Sequence, residues 1–80
     1  MNNLQKFINR LNQKERKKFD QTIESILTNN LEHLDIKKIK GYESHYRVRL
    51  GRIRIVFIKH KPAINEVIYS GFRDDTTYNL

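Results

Sequence analysis

The sequence predicts an α+β fold in which an N-terminal antiparallel helix hairpin packs on an antiparallel β-sheet of three strands, or four. Three observations carry this. Apolar residues near the start recur at helical spacing, with Leu4, Phe7, Ile8 and Leu11 at i, i+3, i+4 and i+7. From Tyr46 to Phe57 the period changes to two, in the run YRVRLGRIRIVF. Gly51 interrupts that run at its centre, where a two-residue turn would fold it back on itself.

In chain order, residues 3–11 fit a short first helix. Asn12 can cap a second, with Glu15 three residues later in a capping-box arrangement. That helix runs to about Thr28, with Phe19, Ile23, Ile26 and Leu27 on its apolar stripe. Asn29 and Asn30 end it, because asparagine tolerates the left-handed conformation at a helix C-terminus. The short joint at Asn12 makes the two helices antiparallel neighbours. Leu31 to Lys40 reads as an irregular connector, with one helical turn near its start, broken by Gly41.

The hairpin follows, extended outward to about His45 and Lys59. A turn on Gly51 and Arg52 pairs Leu50 with Ile53, Val48 with Ile55 and Tyr46 with Phe57, so one face is wholly apolar. The same register sets Arg49 opposite Arg54 and Arg47 opposite Val56. Gly51 takes the position where a type II′ turn requires a positive φ. Slipping the register by one residue would mix the faces. Two arginines directly opposite one another cost about 0.2–1 kcal/mol, and an anion on that face would offset it. His60 to Ala63 make the next turn around Pro62. Ile64 to Ser70 form the last strand, with Ile64 and Ile68 expected on one face and Val67 and Tyr69 on the other. Gly71 then opens a C-terminal tail, Phe72 to Leu80.

A chain of 80 residues is read as one domain, 1–80, burying about 60–65% of the surface that its unfolded form exposes. It has no cysteine, hence neither disulfides nor thiolate metal ligands. Three isolated glycines make no phosphate-binding loop. His33, His45 and His60 are scattered without carboxylates at ligand spacing, and no cofactor or metal is expected. Ser25, Ser44 and Ser70 lack the sequence context of a catalytic nucleophile. The longest apolar run is too short for a membrane span, and nothing at the N-terminus suggests secretion, so a cytoplasmic protein is expected.

The formal net charge is +7, and its distribution is uneven. Residues 1–36 carry six Lys/Arg and five Asp/Glu, whereas residues 37–61 carry nine Lys/Arg against Glu43 alone. Such a concentration is the electrostatic footprint of a nucleic-acid binder. Arginines on a rigid surface bind phosphate oxygens bidentately and can stabilise the charge that develops in phosphodiester cleavage. RNA supplies its own nucleophile, the 2′-hydroxyl, but a proton carrier is still needed. Arginine is a poor one because it stays protonated. A lysine, tyrosine or histidine would have to serve.

Ile39-Lys40-Gly41, the run Tyr46 to Phe57, and Gly71-Phe72-Arg73 with Tyr78 resemble the motifs of the RelE/ParE superfamily of toxin–antitoxin toxins. The resemblance covers roughly residues 4–78. It implies a RelE-like endoribonuclease that cleaves mRNA at the ribosome without metal, held inactive by a cognate antitoxin through an acidic segment. It also implies site residues: Arg47 and Arg49 on the first hairpin strand, Arg54 on the second, Arg73 after the third, and Tyr78 near the C-terminus. Lys37, Lys38, Lys40 and Arg52 belong to the same basic segment and are expected to contact RNA. The family pattern normally opens with a strand before the helices, whereas this sequence starts almost directly at the expected first helix. Arg47 and Arg49 stand where lysine is usual, and Phe72 where histidine is frequent. The missing lysines lean toward the ParE branch, which poisons DNA gyrase without cleaving RNA. A third reading is an inactive, antitoxin-binding relative.

Overall fold

Asn12 determines where the helix hairpin turns. Its side chain accepts a hydrogen bond from Glu15 N at 2.8 Å, and Glu15 Oε1 accepts one from Asn12 N at 3.1 Å. Together they close the capping box expected from the sequence. In the computed structural model, which describes residues 3–72, this cap separates α1 (Asn3–Asn9) from α2 (Gln13–Leu27). The chain leaves α2 through Asn29, whose φ of 58° is the left-handed conformation that asparagine tolerates.

Four strands follow: β1 (Asp35–Lys38), β2 (His45–Leu50), β3 (Ile53–His60) and β4 (Ile64–Phe72). They form one antiparallel sheet in the order β1-β2-β3-β4. The first of them corrects the sequence reading, which had this segment as an irregular connector. Of its residues only Ile36 is partly buried, so the segment carries no alternation that would mark it as a strand. Its backbone is organised instead by pairing with β2, Asp35 opposite Arg49 and Lys37 opposite Arg47.

The β2–β3 register is the expected one at every position, including Arg49 opposite Arg54. Gly51 has a φ of 58° in the turn, a value that would strain a residue with a Cβ.

β4 differs from expectation twice. It runs on through Gly71 to Phe72, which pairs with Ile53 and is buried, so the predicted tail does not begin at Gly71. It also carries a bulge: Val56 faces Tyr69 while Phe57 faces Val67, leaving Ile68 as the extra residue. The bulge shifts the alternation by one. Val67 therefore turns toward the core with Phe57, and Tyr69 turns to the opposite side with Val56, rather than the two sharing a face.

The core forms where the helix hairpin covers one side of the sheet. Phe7, Phe19 and Ile26 from the helices meet Val48, Ile53, Ile55, Phe57 and Phe72 from the strands. Phe7 stands edge-on to both Phe19 and Phe72, with ring centroids 5.4 and 5.0 Å apart, a favoured aromatic geometry. Two polar residues, Thr22 and Asn65, are buried among the described residues. Asn65 Nδ2 donates to the Ile26 carbonyl at 2.8 Å and to Asn29 Oδ1 at 3.0 Å, joining β4 to the end of α2. Among the described residues no helix is long and apolar enough to cross a membrane.

Candidate nucleic-acid interface

The alternation that buries Val48, Ile53, Ile55 and Phe57 under the helices puts the arginines on the sheet's other face. Two rows of opposed residues cross that face from β1 to β4. One reads Asp35, Arg49, Arg54, Gly71; the next reads Lys37, Arg47, Val56, Tyr69. With strands about 4.8 Å apart, four cationic side chains thus share a patch two residues deep.

Arg49 and Arg54 are partly buried, and the Nε of each is shut off from solvent without a hydrogen-bond partner. No ion pair among the described residues involves Arg47, Arg49 or Arg54. A desolvated donor left unpaired costs about 1–3 kcal/mol, on top of the repulsion between the two guanidiniums. The aliphatic stems carry part of the cost of holding them there. Val56 lies on this face yet is only 1% exposed, with Arg47 and Tyr69 opposite it on the neighbouring strands.

The row containing Arg54 ends at Gly71, and the space beside it is filled from the neighbouring row. A methyl group on Gly71 would collide with the Tyr69 hydroxyl and lie 2.7 Å from Tyr69 Cζ. The Tyr69 ring therefore leans along β4 and lays its hydroxyl over Gly71, beside Arg54. The sequence reading missed this residue because it knew nothing of the bulge. The available signal was a glycine two positions after an aromatic in a strand, a pairing that marks close approach.

The other expected residues divide. Lys37 joins the patch. Lys38 is opposite Tyr46 and so belongs to the helix side, and Lys40 is exposed in the turn after β1. Arg52 is not brought to this face: its Nε and Nη2 bond Glu15 at 2.7 and 3.0 Å, and its guanidinium lies 4.4 Å from the Phe72 ring centroid. Arg73 and Tyr78 lie outside the described residues. His45 shares the arginine face one row further on, opposite Ile58. Its Nδ1 is 3.0 Å from the Glu43 carbonyl, which can only accept, so the proton sits on Nδ1.

Along β4 and the helices runs an apolar groove of about 890 Å³ lined by Leu4, Ile23, Leu27, Ile64, Val67 and Tyr69 among others. Leu4, Leu27 and Ile64 are 49%, 57% and 62% exposed. Among the described residues β4 is an edge strand, so its outer backbone groups border this groove.

A helix hairpin backed by an antiparallel sheet whose outer face is cationic defines a small, basic α+β domain. No family model matches the chain. Over 44 residues it is 43% identical to RelE1 of Methanocaldococcus jannaschii, covering 52% of this chain and 49% of that protein. Over 22 residues it is 68% identical to toxin RelE3 of the same organism, covering 28% of this chain and 25% of the relative. The chain thus matches about half or less of the length of these curated relatives. A chain in the crystal structure of a RelB–RelE antitoxin–toxin complex from Methanococcus jannaschii shares its fold with a TM-score of 0.69 and 30% identity, over 85% of this chain and 81% of that one. The chain belongs to the RelE family of toxins.

Proposed function

We propose that this chain is the toxin of a type II toxin–antitoxin pair and acts as a ribosome-dependent endoribonuclease on mRNA. The observation that carries the reading is the Arg49–Arg54 pair, opposed across the hairpin with both Nε–H groups desolvated and unpartnered. Such an arrangement opposes folding and favours an anion that supplies oxygens to both guanidiniums. A phosphodiester fits, and the pentacoordinate transition state of its cleavage, carrying one more negative charge, fits better. Arg47 and Lys37 extend the patch along the backbone of a bound strand. Arg73 and Tyr78 are assigned to the site by family motif. The nucleophile is the RNA's own 2′-hydroxyl, so the protein needs to position, stabilise charge and move protons.

The partner in this reading is an antitoxin, as in the RelB–RelE complex that shares the fold. An apolar segment of it would occupy the groove beside β4, and acidic residues would answer the basic surface.

The test is a reconstituted translation reaction with mapping of mRNA 5′ ends. Wild-type protein should cut mRNA on ribosomes, and Arg54→Ala should lower the rate about 10²-fold or more. Intact mRNA with wild-type protein would overturn the enzyme reading. Gyrase-dependent DNA breaks in cells expressing the protein would then support the ParE-like alternative.

A further inference from the structure

We propose that Tyr69 is the proton donor of the cleavage reaction, an inference that rests on the endoribonuclease reading above. The bulge at Ile68 turns Tyr69 onto the arginine face, and the missing side chain at Gly71 lets its phenol lie beside Arg54. Gly71 is opposite Arg54, and opposed residues on one face have Cβ positions about 5 Å apart. The Tyr69 hydroxyl occupies the space a Gly71 Cβ would claim. It therefore lies about 5 Å from the Arg54 Cβ, on the face that carries the guanidiniums.

The reaction needs such a group. When the 2′-oxygen attacks phosphorus, the 2′ O–P bond forms and the P–O5′ bond breaks. The 2′ proton passes to a solvent or buffer base. The departing 5′-oxygen must gain a proton, and an arginine does not give one up. A phenol is protonated at neutral pH. Transfer breaks the Tyr69 O–H bond, forms the O5′–H bond, and leaves a phenolate next to Arg54, where the cation stabilises it. Water then reprotonates the phenolate. The products are a 2′,3′-cyclic phosphate and a 5′-hydroxyl end. Gly71 is the positioning residue: any side chain there drives the phenol off the site.

The experiment compares wild type, Tyr69→Phe and Gly71→Ala in single-turnover cleavage of ribosome-bound mRNA, with thermal melting to confirm that each variant is folded. Two mRNAs are used, one natural and one with a bridging 5′-sulfur at the scissile position, whose thiolate leaves without a proton. Tyr69→Phe should slow cleavage of the natural mRNA about 10²–10⁴-fold and cut the sulfur-bridged mRNA within a few-fold of wild type. Gly71→Ala should show the same pattern. Equal slowing on both mRNAs, or natural cleavage at the wild-type rate by Tyr69→Phe, overturns the assignment while leaving the enzyme reading intact. No cleavage by wild type overturns both.

Discussion

Arg52 and Glu15, 37 positions apart, meet through two hydrogen bonds of 2.7 and 3.0 Å that tie the hairpin turn to the first turn of α2. The same carboxylate closes the capping box with Asn12, so one side chain fixes the helix start and its docking on the sheet. Arg52 completes the joint by resting on the Phe72 ring, which Arg10 covers at the same 4.4 Å distance.

That joint makes stability depend on acid. The Arg52 guanidinium first, and the Asn12 N–H second, hold the Glu15 carboxyl at about 2, against an ordinary value of 4.5. The unfolded chain takes up the proton first, so the stabilisation is complete above pH 4.5 and is lost as pH falls toward about 2. Glu15→Gln should therefore lower stability at neutral pH and flatten its decline through this acid window. Urea unfolding at neutral pH and at several points in the window checks it; parallel declines for the two proteins would refute the coupling.

The arginine pair predicts a trade between stability and activity. Arg49→Met keeps an aliphatic stem opposite Arg54 but removes one of two opposed charges and one unpartnered donor. Denaturant midpoints should show a gain of about 0.2–1 kcal/mol, while mRNA cleavage falls. A variant that lost stability together with activity would mean that the pair is satisfied within the protein and needs no external anion.

How far the sequence disclosed these features follows from the range of the interactions. The hairpin register was legible because alternation and Gly51 act within twelve residues, and both agree on one pairing. The Asn12–Glu15 cap was legible for the same reason. β1 was not, since Asp-Ile-Lys-Lys offers one inward residue and becomes a strand only by pairing with β2. The bulge at Ile68 was hidden because β4 has apolar residues at successive positions, which fit either face. Arg52 looked like one more phosphate ligand because its partner is distant in sequence. Tyr69 was expected to share a face with Val67, and the bulge separates them by a single residue's shift.

Asn65 supplies a third prediction. It is 5% exposed and donates to both Ile26 O, which also accepts from Asn29 N at 3.1 Å, and Asn29 Oδ1, so it ties β4 to the end of α2. Asn65→Ala should cost about 0.5–1.5 kcal/mol for each hydrogen bond lost, since Ile26 O keeps its bond from Asn29 N. Hydrogen exchange should show the last turn of α2 opening before the β2–β3 hairpin. A loss spread evenly over the fold would mean that the contact is not what anchors this turn.

The groove and the arginine face adjoin at Tyr69, but they can be separated experimentally through Leu27 and Ile64, which line the groove away from the arginines. Leu27 and Ile64 are more than half exposed, so Leu27→Lys and Ile64→Lys should change folding stability by no more than about 0.5 kcal/mol each. If an apolar antitoxin segment fills the groove, both substitutions should weaken antitoxin binding about 10-fold or more, since each buries a lysine ammonium without a partner. Cleavage by the free toxin should be unchanged. Arg47→Ala should do the reverse along the electrostatic axis: affinity falls less, but its decline with salt becomes shallower because one cation–carboxylate attraction is gone. Isothermal titration of each variant at two ionic strengths distinguishes these effects. Antitoxin binding that ignores both lysine substitutions would place the partner elsewhere, and binding that ignores salt would remove acidic residues from its contact surface.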